Sequence, residues 1–95
     1  MKVKPITNIE TAIRIYYSHP EIGNAEIVQL FGKIAGSTIS MYKKAVLEEQ
    51  AKRGVKTSYW HSVNTENAYE VWGIDVEDLL RRRAKLKKLG MLEAV

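Results

Sequence analysis

"GKIAGSTISMYKK", residues 32–44, decides the fold. Gly32 and Gly36 flank a short connection, Lys33 to Gly36, in a chain otherwise rich in helix formers. Upstream, AEIVQLF (25–31) reads as a short helix that packs through Ile27, Val28, Leu30 and Phe31 and stops at Gly32. Asn24 is its cap candidate, with Glu26 in the first turn where the helix dipole favours an anion. Downstream, Ser37 is expected to cap a longer helix, TISMYKKAVLEEQAKR, which ends at Gly54 after a basic last turn. Ile39, Tyr42 and Val46 form its apolar stripe, with Ala45 on the flank.

Outward from this pair, the signals remain helical. NIETAIRIYYS predicts a first helix over about 8–18, opened by a capping box of Thr7 and Glu10 and ended at His19-Pro20. Ile9, Ala12, Ile13 and Tyr16 fall at i, i+3, i+4 and i+7. Beyond Gly54, VKTSYWHSV (55–63) is enriched in β-branched and aromatic residues. It reads as a short strand or hairpin arm, or as an ordered loop. Asn64 or Thr65 starts a short helix, about 65–72, closed by Gly73. Asp75 and Asp78 form an acidic cap for a last helix, about 76–89, which Gly90 terminates. The expected fold is a mainly α single domain over 1–95, with about five helices and at most a short β-arm at 55–63.

Composition limits the function classes. With 95 residues, 45% apolar and 27% charged, the chain suits one modest core. It contains no cysteine, which excludes disulfides, thiolate metal sites and cysteine nucleophiles. No run of eighteen apolar residues occurs, and MKVKPITN has no apolar stretch behind its lysines, so neither a membrane span nor a secretory signal is expected. A cytoplasmic protein is the expectation. The net charge of +4 is concentrated in RRRAKLKK (81–88) and in a second set, Lys43, Lys44, Lys52, Arg53 and Lys56.

A short helix, a glycine turn and a second helix with an exposed polar face match a helix-turn-helix over residues 24–53. The glycine is needed where the chain reverses and a Cβ would clash, and Ile34 sits where an apolar residue would plug the gap between the helices. "AEIVQLFG…STIS" resembles the helix-turn-helix of bacterial and phage DNA-binding regulators, over about 20 to 23 residues. Glu26, Ile27, Leu30 or Phe31, and Gly32 match the first half of that pattern, and Ser37 to Ser40 match the second. Two departures stand out: the connection is one residue longer than usual, and Val28 replaces a small alanine, which implies a wider helix crossing.

The resemblance implies that the second helix enters the major groove of duplex DNA. With Ile39, Tyr42 and Val46 buried, Ser37, Ser40, Met41 and Lys44 face outward and Thr38 lies on the flank. The hydroxyls suit a base edge or a phosphate, and Met41 suits a thymine methyl. Lys43, Lys44 and Lys33 suit phosphates. No arginine, asparagine or glutamine precedes Gln50 on that helix, and the same hairpin would also serve a protein that never touches DNA.

Arg81, Arg82 and Lys85 are further candidates for phosphate contact. Their helix also carries Val76, Leu79, Leu80, Leu86 and Leu89. It therefore suits a packing helix with a solvated basic face, or a dimer helix, equally well. Tyr59, Trp60 and His61 beside Lys56 suit either base stacking or core packing, and Trp72 suits the core. Were residues 55–63 a β-arm, Lys56 and His61 would form a wing on the phosphate backbone. His19 and His61 have no metal-ligand spacing, Glu48 and Glu49 point about 100° apart, and no nucleophile elbow or phosphate loop appears. No enzyme activity, metal or cofactor is expected.

The expected function is duplex DNA binding by a homodimer, as a small transcriptional regulator or a phage or mobile-element DNA-binding protein. The alternatives are a protein-interaction module with a protein partner, and a packaging component similar to a small terminase subunit.

Overall fold

The computed structural model describes residues 1–58 and 61–90, so Tyr59 and Trp60 lie outside the described residues. The elements run α1 (Ile9–Ser18), β1 (Glu21–Ile22), α2 (Asn24–Phe31), α3 (Gly36–Arg53), β2 (Val63–Asn64), α4 (Thr65–Trp72) and α5 (Val76–Lys88). The mainly α expectation holds. Among the described residues, no helix is long and apolar enough to cross a membrane.

Three helix starts differ from the sequence expectation. Asn8, not Thr7, caps α1, its Oδ1 accepting from Thr11 N at 3.0 Å. Thr7 is turned away to α2, where its N–H donates to Leu30 O at 2.8 Å and its hydroxyl to Gln29 O at 3.0 Å. Gly23, not Asn24, occupies the cap position of α2, so the helix starts at Asn24, one residue earlier than expected, and the Asn24 side chain accepts from Lys43 instead. Its N–H is taken by Glu26 Oε1 at 2.8 Å. Ala35 precedes α3, and its carbonyl accepts from both Thr38 N and Ile39 N, which places Ser37 inside the first turn instead of at the cap. The other ends follow the sequence: Asn64 caps α4, Asp75 caps α5, and α3 and α4 stop at Gly54 and Gly73.

The short strand lies only at the very end of the segment 55–63. Val63 pairs with Ile22 and Asn64 with Glu21, antiparallel, so the partner strand comes from the α1–α2 connection. No hairpin arm forms among the described residues of 55–62. Glu21 steadies that segment from the sheet, its carboxylate accepting from Ser58 N at 2.8 Å and from the Ser62 hydroxyl at 2.7 Å.

One apolar core joins all five helices and both strands. Helix α1 packs against both α2 and α5, so its buried face is broader than one stripe. Ala12, Ile13 and Ile15 are buried, whereas Ile9 and Tyr16 are half-buried. Phe31, fully buried, meets Tyr42 and Trp72 edge-on at ring distances of 5.2 and 5.3 Å. This trio fixes α2, α3 and α4 to one another, and the Trp72 indole N–H donates to Tyr42 O at 3.2 Å. Val28 is 39% exposed, so it does not widen a helix crossing. Gln50 is buried, and its Oε1 accepts from Asn64 N at 2.8 Å. Its amide is committed to the small sheet.

Candidate nucleic-acid interface

Helix α2, the turn 32–35 and helix α3 follow one another as expected, joined by Phe31 against Tyr42 and by Lys43 against Asn24. Gly32 has φ +81°, and half-buried Ile34 packs against the core beneath the turn. Eighteen residues make α3 about 27 Å long at 1.5 Å per residue. Ile39, Tyr42, Val46 and Gln50 face inward. On the opposite face Ser37, Ser40, Met41 and Lys44 are exposed, Met41 by 55%, and Thr38 is half-buried on the flank. Glu48 is also exposed and places one acid in the fourth turn of that face.

The cations differ in availability. Lys33 is exposed in the turn and Lys44 on α3, and neither makes an ion pair among the described residues. Lys43 is half-buried and reaches back to the start of α2, Nζ donating to Asn24 Oδ1 at 3.1 Å. Arg53 is taken. Its guanidinium holds both Glu70 oxygens at 2.8 and 3.0 Å and Glu49 at 3.0 Å. Those bonds raise the Arg53 pKa and hold the Glu70 carboxyl below its usual value. They tie the C-terminal end of α3 to α4 and leave its N-terminal half to present the polar face.

Helix α5 lies against α1, where Arg83 pairs with Glu10 at 3.4 Å. Arg81 and Arg82 both reach Asp78, at 3.4 and 2.8 Å, while Lys85 is exposed without an ion pair among the described residues. Leu79 is buried and Val76 and Leu80 pack on the chain's own core, which leaves half-buried Leu86 and Leu89, 63% exposed, at the outer end. The fold therefore groups Lys33, Ser37, Thr38, Ser40, Met41, Lys43 and Lys44 along one edge and sets Arg81 and Lys85 on a separate helix. Arg82 is intermediate: it lines a groove of about 340 Å³ with Lys4, Ile6, Trp72 and Leu79.

Lys4 is the basic residue that the sequence reading passed over. Residues 1–7 run back across the helical hairpin: Val3 and Ile6 pack on the core, and Lys4 N donates to the Tyr42 hydroxyl at 3.0 Å. A Cβ placed on Gly32 would stand 3.3 Å from Thr7 Cγ2 and 4.0 Å from Lys4 Nζ. The lysine head thus lies against the turn that carries Lys33. "MKVK" announced the charge but not its place, which is set by contacts 23 and 38 residues away in sequence.

Lys56 and His61 are exposed, without the strand that a wing would need. His19, His61, Glu21 and Glu26 line a groove of about 420 Å³. Among the described residues, no group of three or more His, Cys, Asp or Glu is arranged to hold a metal ion. No protein family, curated protein or solved structure matches the chain.

Proposed function

We propose that this chain binds duplex DNA through the helix-turn-helix of α2 and α3, as a small transcriptional regulator or a DNA-binding protein of a phage or mobile element. One observation carries the reading. Helix α3 buries Ile39, Tyr42 and Val46 while its N-terminal half presents Ser37, Ser40, Met41 and Lys44 to solvent beside a cationic turn. In the major groove, Ser37, Ser40 and Met41 meet base edges and Thr38 lies at the rim. Lys33, Lys43 and Lys44 neutralise phosphates. Arg81, Arg82 and Lys85 supply a further positive field on α5. The mechanism is non-catalytic, and the protein works in the cytoplasm as a homodimer that reads two half-sites about one DNA turn apart.

The test is fluorescence anisotropy of a labelled duplex with the wild type and with Lys43→Ala/Lys44→Ala at several salt concentrations. Binding should weaken steeply with salt, and the log–log slope should fall by about 0.9 for each phosphate contact removed. Absence of binding at low salt overturns the proposal. A protein-partner module is the second reading, supported by three exposed apolar side chains on the hairpin: Val28, Met41 and Leu47. Light scattering separates a dimer from a larger packaging ring.

A further inference from the structure

We propose that residues 1–7 form a strap that holds Lys4 at the helix-turn-helix turn, so that Lys4 and Lys33 together grip one backbone phosphate of duplex DNA. The inference rests on the DNA-binding reading and adds a contact that the helical hairpin alone does not contain.

The strap is built into the fold by several independent contacts. Val3 and Ile6 are half-buried against the core. Between them, the Lys4 backbone N–H donates to the hydroxyl of Tyr42, a residue of α3 whose ring is 5% exposed. Thr7 is fixed to the last turn of α2 through both its N–H and its hydroxyl, at 2.8 and 3.0 Å. The backbone on either side of Lys4 is therefore tied to α3 at one point and to α2 at the other. The side chain left over runs to Gly32, where a single Cβ would come within 4.0 Å of Nζ.

Lys33 is the next residue after Gly32 and is exposed, and neither Lys4 nor Lys33 has a carboxylate partner among the described residues. A phosphate diester at this edge carries one negative charge, is attracted to both lysines and offsets one of the two positive charges. The site lies at the turn that leads from α2 into α3, so a phosphate held there sets how deeply α3 sits and which of its side chains reach the bases. Its ligand class is the DNA backbone, and its contribution is independent of sequence.

The test compares Lys4→Ala, Lys33→Ala, Tyr42→Phe and Lys56→Ala by salt-dependent anisotropy on one duplex, with unfolding curves to normalise for folded protein. Lys56 is exposed on the connection after α3 and serves as the charge-matched control. Lys4→Ala and Lys33→Ala should each weaken binding at every duplex sequence, and removing both should lower the log–log salt slope by about 0.9, with Lys56→Ala unchanged. Tyr42→Phe leaves every charge in place but releases the strap, and should weaken binding as well. If Lys4→Ala matches Lys56→Ala while the wild type still binds, the phosphate contact is overturned and the DNA-binding reading survives. If Lys4→Ala is weakened but Tyr42→Phe binds as the wild type does, the strap is overturned. A wild type that does not bind overturns both proposals.

Discussion

Replacing Gly32 by alanine should be the most damaging single-methyl change in the helical hairpin. Gly32 sits at φ +81°, ψ −169°, a combination essentially confined to glycine, and forcing an L residue into it costs about 1–3 kcal/mol. The new methyl would also stand 3.3 Å from Thr7 Cγ2. Thr7 cannot yield easily, because its N–H and hydroxyl are both bonded to α2. This crowding adds on the order of 1 kcal/mol, the lower end of what overpacking costs. Gly54 is the internal control. It adopts φ +69°, ψ 21°, in the ordinary left-handed region, and a Cβ there would meet nothing within 4 Å. Gly54→Ala should therefore cost only the conformational penalty of about 1–2 kcal/mol. Urea unfolding followed by far-ultraviolet circular dichroism gives both values, and in a domain of this size each kcal/mol lowers Tm by roughly 4–8 °C. Adding Thr7→Ser to Gly32→Ala removes the opposing methyl, and should recover the crowding part alone. If Gly32→Ala costs no more than Gly54→Ala, the turn geometry and the place of Thr7 are both wrong.

Two further outcomes follow from the polar contacts. The Tyr69 hydroxyl donates to Ala12 O at 2.6 Å, so Tyr69→Phe should lose about 1–2 kcal/mol in thermal or urea unfolding. Burial raises the phenol's pKa above its usual value of about 10, so the folded state keeps a proton that the unfolded chain gives up. Stability should thus fall as pH climbs past about 10, and fall less in Tyr69→Phe, as unfolding midpoints across alkaline pH would show. Glu70 is the opposite case. Arg53 depresses its carboxyl pKa, so its contribution is present above the unfolded-state value of about 4.3 and disappears as pH falls through the folded one. Glu70→Gln should be less stable than wild type at neutral pH and match it in acid.

The helices were legible because their stop signals are chemical: His19-Pro20, Gly54, Gly73 and Gly90 end helices by backbone geometry that needs no tertiary partner. Their starts were less so. Thr7 and Asn24 have the right side chains for capping, but tertiary contacts claim them first, Thr7 by the carbonyls of α2 and Asn24 by Lys43. The stripe Ile9, Ala12, Ile13 and Tyr16 leaves out buried Ile15 because a single stripe assumes one neighbour, whereas α1 has two. The polar face of α3 followed directly from its 3.6-residue period, since Ile39, Tyr42 and Val46 leave only one side for Ser37, Met41 and Lys44. The strand partner Glu21–Ile22 and the strap at Lys4 are long-range pairings, and no local pattern encodes them.

Gln50 also shapes how this chain can change. Its backbone carbonyl accepts from Val55 N at 2.9 Å and its side chain accepts from Asn64 N at 2.8 Å. The connection from α3 to β2 therefore leaves and returns at one residue, and its ends are pinned whatever lies between. Closing a longer loop is cheap once the ends are fixed, about 0.6 kcal/mol for each doubling of length. Insertions between Val55 and Ser62 should be absorbed without moving α3 or the sheet. That segment is where related chains can acquire new surface while the hairpin stays as it is.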